Sequence, residues 1–155
     1  MALDMEAALQ EVVDRSAIHD VMMRYVHGID RRDWDLVATC FAPDADLDYE
    51  DFYQGTPPKF IAAVRDAFEQ YFAVTMHHVG NQLIEVEGGK GRMESYAVAY
   101  HREKEPRADG KQRDIIVGVR YLDELERRDG RGVIVRRSEV YDWRKEEVVQ
   151  LPTLR

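Results

Sequence analysis

The chain has one cysteine, Cys40, which rules out an internal disulfide and any cysteine-based metal cluster and suits a reducing compartment. Long apolar runs are missing as well. Nothing approaches the roughly 18 residues needed to span a bilayer. The opening Met-Ala-Leu-Asp-Met-Glu lacks the basic-then-apolar head of a signal peptide. Positive charge is in deficit: 22 Lys and Arg against 30 Asp and Glu leave a net charge of −8, which argues against a nucleic-acid or anionic-membrane partner. There is no glycine-rich phosphate loop, Gly-x-Ser-x-Gly elbow or dinucleotide fingerprint. These absences point to a soluble, cytoplasmic protein.

What is present is a globular composition. The 155 residues are 45% hydrophobic and 34% charged, which suits a single domain over 1–155 around one core, with no repeat or linker. Met5, Ala8, Leu9, Val12 and Val13 follow helical spacing and predict a short opening helix. Ser16 is placed to cap a second helix, with Ile18, Val21, Met22, Tyr25 and Ile29 as its apolar stripe and Gly28 loosening its last turn. Trp34 to Phe41 predicts another helix, ended by Pro43. A first strand is expected over Ala45 to Tyr53, and Pro57 and Pro58 open a third helix reaching about Phe72.

Beyond Val74 the period changes from helix to strand. Strands are expected at about 76–87, 92–104, 113–127 and 133–143, separated by Gly88-Gly89, Ala108-Asp109-Gly110 and the hairpin signal Asp129-Gly130. Helices followed by an antiparallel meander predict an α+β domain, with helices on one face of a curved sheet and a pocket between that face and the long helix.

The chemistry centres on Met76-His-His-Val-Gly-Asn81. Neighbours on a strand point to opposite faces, so one of His77 and His78 turns inward and the other away. Two such imidazoles diverge and cannot share one ion. Asp30, His78 and His101 could supply a two-histidine, one-carboxylate set, but no ligand spacing is diagnostic, and neither metal nor cofactor is expected.

Three stretches carry a family resemblance: Ala17 through Trp34, Met76 through Asn81, and Tyr121-Leu-Asp-Glu-Leu-Glu-Arg-Arg-Asp-Gly130. They resemble the SnoaL-like branch of the nuclear transport factor 2-like (NTF2-like) superfamily. The implied fold is a cone, a curved antiparallel sheet wrapped around three N-terminal helices. Within the branch the pattern is similar to cofactor-free lyases: bile acid 7α-dehydratase, scytalone dehydratase and hexachlorocyclohexane dehydrochlorinase.

The resemblance implies a dyad of Asp30 and His78, with His78 as general base and His77 facing outward without a role. It makes Tyr25 a catalytic tyrosine and Tyr49, His101 and Arg137 substrate-binding groups, with Asn81 a further contact. Arg136 competes with Arg137 for the inward position. Tyr25 and Asp30 lie about 140° apart on an ideal helix, so sharing one pocket is expected to need unwinding at Gly28. The implied activity is a cofactor-independent, dehydratase-type elimination on a hydrophobic, cyclic, hydroxylated small molecule. An isomerase or polyketide-type cyclase would use the same dyad. A non-catalytic subunit, like the small subunit of ring-hydroxylating dioxygenases, would not require it. Relatives of this shape imply a homodimer or homotrimer.

Overall fold

The computed structural model describes residues 4–128 and 131–149, so the Asp129-Gly130 hairpin signal lies outside the described residues. Helix α1 (Met5–Arg31) is continuous where two helices were expected. Asp4 caps it, its carboxylate accepting from the Glu6 and Ala7 N–H groups. Ser16 caps nothing, because a cap needs a non-helical backbone and no proline or glycine interrupts Met5 to His27. The first turns are exposed, and from Ile18 onward the predicted stripe is buried. Arg32 ends the helix in the left-handed region at φ 60°, its N–H bonding the Gly28 and Ile29 carbonyls.

Asp33 then caps α2 (Trp34–Ala38), accepting from the Leu36 N–H at 3.0 Å. This helix stops before Pro43, which lies inside β1 (Phe41–Tyr49). The register of β1 slips between Phe41 and Asp46, so a residue without an N–H is tolerated there. A turn with Glu50 at φ 49° leads to β2 (Tyr53–Gly55), and α3 (Pro57–Tyr71) begins on the two prolines. Four long strands follow: β3 (Phe72–Glu87), β4 (Lys90–Glu103), β5 (Gln112–Arg128) and β6 (Arg131–Val149).

The sheet order is β2-β1-β6-β5-β4-β3. The α+β architecture and the curved sheet are as expected. The sheet is mixed, however, because β1 runs parallel to β6 while every other pair is antiparallel. Reaching β6 from β1 takes the chain through α3 and four strands, a connection long enough for parallel pairing. The core fills the space between α1 and the inner face of the sheet, with Val21, Met22 and Ile29 set against Met93, Ala99 and Tyr121. No helix among the described residues is long and apolar enough to cross a membrane.

Candidate active site

The end of α1 is pinned to β3. Arg32 Nη1 donates to the Thr75 hydroxyl and to the Ile29 carbonyl, each at 2.8 Å, and the guanidinium lies over the Phe68 ring. This seats Asp30 against the adjoining stretch of β3. One carboxylate oxygen accepts the His77 backbone N–H at 2.8 Å, and the other lies 2.7 Å from His77 Nδ1. Burial pushes Asp30 up, but the hydrogen bonds and charge of His77 outweigh it and hold the carboxyl below its ordinary value. An Asp30 carboxylate accepting from Nδ1–H leaves Nε2 as the basic nitrogen.

The partner of Asp30 is therefore His77, not His78. The cause is a β-bulge. Val79 pairs with Ala97 and Gln82 with Ser95, so β3 advances one residue more than β4 across Gly80 and Asn81. Counting back by twos from the inward Ile84 and Val86 points His78 inward, but the extra residue reverses the parity. His78 and Asn81 face a shallow depression on the outer side of the sheet, with Tyr96, Asp142 and Trp143. Neither reaches the dyad, so the expected roles for both lose their geometric basis.

His77 lines a cavity of about 380 Å³ between α1, α3 and the inner face of the sheet. Its wall is mainly apolar, with Ile29, Phe60, Val64, Phe68, Ala99 and Val117 among the lining residues. Ala99, paired opposite His77, leaves room in front of the imidazole. Phe52, Tyr71 and Tyr141 stand at the rim, each about half exposed.

Tyr25 and Tyr49 both line this cavity, and their hydroxyls lie 3.0 Å apart. Burial is the largest influence on each phenol and raises its pKa, so both stay protonated. Gly28 does not unwind to bring Tyr25 and Asp30 together. It stays helical and buried, with Tyr25 facing the cavity directly and Asp30 acting from the side through His77. His101 also lines the cavity, its ring 5.6 Å from that of His77. Burial first, and then His77, lower its pKa to about 4, and its buried Nδ1 has no hydrogen-bond partner.

Arg137 is the inward arginine, fully buried, whereas Arg136 is exposed near Asp46. Arg137 does not line the cavity. Asp123 grips it bidentately, with Nε and Nη2 each 2.7 Å from a carboxylate oxygen. Its guanidinium packs over the Tyr25 and Tyr121 rings, and Nη1 donates to the Tyr49 hydroxyl at 3.4 Å. The expected pocket cation is thus a support behind the tyrosines, because a carboxylate already neutralises it.

Sequence reasoning missed Tyr121 and Glu139, which pair across β5 and β6 and both line the cavity. Alternation could have found Glu139, since it lies two residues beyond the inward Arg137. Burial raises the Glu139 carboxyl to about 7 against the opposing pull of Arg137 and Tyr121, with Glu50 adding to the rise. Among the described residues no group of three or more His, Cys, Asp or Glu is placed to hold a metal ion.

The fold is shared with enzymes and with proteins of unstated activity. A protein from Novosphingobium aromaticivorans, provisionally assigned as a scytalone dehydratase, is 22% identical, with 90% of this chain and 91% of that one covered at a TM-score of 0.78. Hexachlorocyclohexane dehydrochlorinase LinA type 2 is 18% identical over 95% of this chain and 99% of its own, at a TM-score of 0.82. The type 3 enzyme from Novosphingobium barchaimii is 19% identical over 90% and 94%, at 0.78. At these identities the likeness is one of fold. A search of the curated proteins finds no match. A family model described as a SnoaL-like domain matches residues 10–138, and the chain accordingly belongs to the SnoaL-like domain family of the NTF2-like superfamily.

Proposed function

We propose that this protein is a cofactor-independent lyase that eliminates water, or a comparable leaving group, from a hydrophobic cyclic molecule. The observation that carries this reading is the Asp30–His77 hydrogen bond at the wall of a mainly apolar cavity. His77 Nε2 takes a proton from a carbon next to the one that bears the leaving oxygen. The C–H electron pair becomes the new C=C bond as the C–O bond breaks. The departing oxygen takes a proton, which the imidazolium can return, and leaves as water. Asp30 fixes the tautomer and stabilises the imidazolium. Tyr25 and Tyr49 hydrogen-bond the departing oxygen, and His101 holds the ligand beside His77. The dehydratase and dehydrochlorinase names of proteins with the same fold support the reaction class.

The test is turnover of cyclic alcohols activated by a neighbouring carbonyl, with hexachlorocyclohexane alongside. His77→Ala lowers kcat/KM by about 10²–10⁴-fold, the usual contribution of a general base, while His78→Ala leaves it within about twofold. The opposite ranking would sink the assignment, and unchanged turnover in both would favour a non-catalytic role. An isomerase or cyclase using the same dyad gives a product without loss of water, which mass spectrometry separates. Self-association belongs to the same proposal. Tyr96, Tyr100, Leu122 and Trp143 are exposed, and sedimentation is expected to give a dimer or trimer rather than a monomer.

A further inference from the structure

We propose that Glu139 is a recognition group that binds a hydroxyl of the ligand far from His77, so that the molecule taken by the cavity is a neutral multi-ring compound carrying a second, non-reacting hydroxyl. This rests on the cavity being the substrate site, as proposed above, but not on the reaction being an elimination.

Register sets the separation. His77 pairs with Ala99, Ala99 with Val117, and Val117 with Arg144. Glu139 lies further along β6, opposite Tyr121. Three strand steps of about 4.8 Å put the two backbones about 14 Å apart across a flat sheet, before the offset along the strands and the shortening by curvature. Both side chains reach into the cavity and shorten that span, and the cavity of about 380 Å³ that they share suits linked or fused rings.

The Glu139 carboxyl faces this cavity at 7% exposure. Its closest cation, Arg137, is already held by both oxygens of Asp123. Among the described residues Glu139 has no salt-bridge partner, and Tyr121 occupies only part of the roughly four acceptor positions of a carboxylate. A buried carboxyl left short of partners carries a desolvation cost that a ligand can relieve.

The surrounding charges select the ligand. A cation would shed its hydration against a mainly apolar wall in which Arg137 and Arg144 are already paired with carboxylates, which disfavours it. Glu139 itself, with Glu50 close enough to raise it, disfavours an anion. A hydroxyl suits both protonation states, because it donates to a carboxylate and accepts from a carboxylic acid. At about 7, Glu139 presents both forms near neutrality.

Calorimetric titration of the whole chain with a phenylcyclohexanone and its para-hydroxyphenyl counterpart tests the inference. The hydroxy probe binds the wild type about tenfold tighter, as one good charge-assisted hydrogen bond allows. Glu139→Leu brings the ratio to about one, and His77→Ala leaves it intact. Loss of turnover in His77→Ala therefore reports on the elimination, and the affinity ratio on Glu139. Where Glu139→Leu does not fold, the wild type decides. The para-methoxy counterpart can only accept a hydrogen bond, so its affinity falls about tenfold as pH rises from about 6 to about 8 and Glu139 ionises, while that of the hydroxy probe holds. Besides Arg137 and Tyr121, the titratable and charged groups facing Glu139 or its cavity are Tyr25, Tyr49, Tyr141, Glu50, Arg144, His77 and His101, and burial keeps the four tyrosines protonated across this range. Equal affinities for the first two probes, no binding of the hydroxy probe, or parallel pH profiles for the last two overturn the inference.

Discussion

Burial drives Glu139 and His101, two titratable groups of the cavity, in opposite directions. Glu139 is raised from 4.5 to about 7, and His101 is lowered from 6.5 to about 4. Between about 4.5 and 7 the folded chain keeps the Glu139 proton that the unfolded chain has released. Stability therefore falls as pH rises through that window, by about 3 kcal/mol at 1.36 kcal/mol per unit. Glu139→Gln cannot ionise. Urea unfolding at pH values either side of this window is expected to show the variant gaining on the wild type as pH rises, and parallel dependences would refute the burial account. His101 has the reverse sign. Below 6.5 the unfolded chain is protonated first, so acidification toward 4 destabilises the wild type through this residue, and His101→Phe is expected to lose that contribution. Residue types were only partly informative here. Asp30, Tyr25 and Tyr49 could be picked out through the family resemblance, since residue type alone left Asp30 an exposed helix-end carboxylate and the two phenols as core packing. Glu139 stood unremarked among the charges of the last strand, since charge alone does not reveal burial.

Gly28 shows how one element positions another. A methyl group there would lie 2.7 Å from Val37 Cγ2 and 3.1 Å from the Asp33 carbonyl, so the end of α1 can approach α2 only with no side chain between them. Gly→Ala in an open helix interior stabilises by about 1 kcal/mol. Here overpacking against the buried Val37 outweighs that gain, and Gly28→Ala is expected to cost about 1–3 kcal/mol in urea unfolding while shifting Asp30 and lowering turnover. A stabilised variant would mean that the α1–α2 junction is loose. The apolar stripe of α1 was legible because five positions at helical spacing have one reading, and all five are buried. The bulge in β3 was not, because each half of the strand alternates correctly by itself. Only pairing with β4 shows that Gly80 and Asn81 together oppose Tyr96 and reverse the parity of the histidines.

At the scale of the molecule, α1 and the six-stranded sheet close on a buried ion pair. Arg137 and Asp123 are both fully enclosed, and Tyr25, Tyr121 and Tyr49 surround the guanidinium. Arg137→Met leaves Asp123 charged without a partner and is expected to cost about 3–5 kcal/mol, much of it recovered in the double variant with Asp123→Leu. A single-variant cost below about 1 kcal/mol would show that water reaches the pair. The α+β arrangement, with helices on one face of a curved sheet, was foreseeable from the order and period of the segments. The parallel pairing of β1 with β6 was not, because it joins strands nearly a hundred residues apart and leaves no local mark.

The central claim is that Asp30 holds His77 with Nδ1 protonated and Nε2 free. Long-range proton–nitrogen correlation NMR of the histidine rings, at a pH where the imidazoles are neutral, tests it without a substrate. His77 is expected to show Nδ1 carrying hydrogen and Nε2 bare, with Asp30→Asn altering that ring and leaving His78 unchanged. A His77 ring protonated on Nε2, or a response to Asp30→Asn at His78 instead, would contradict the account.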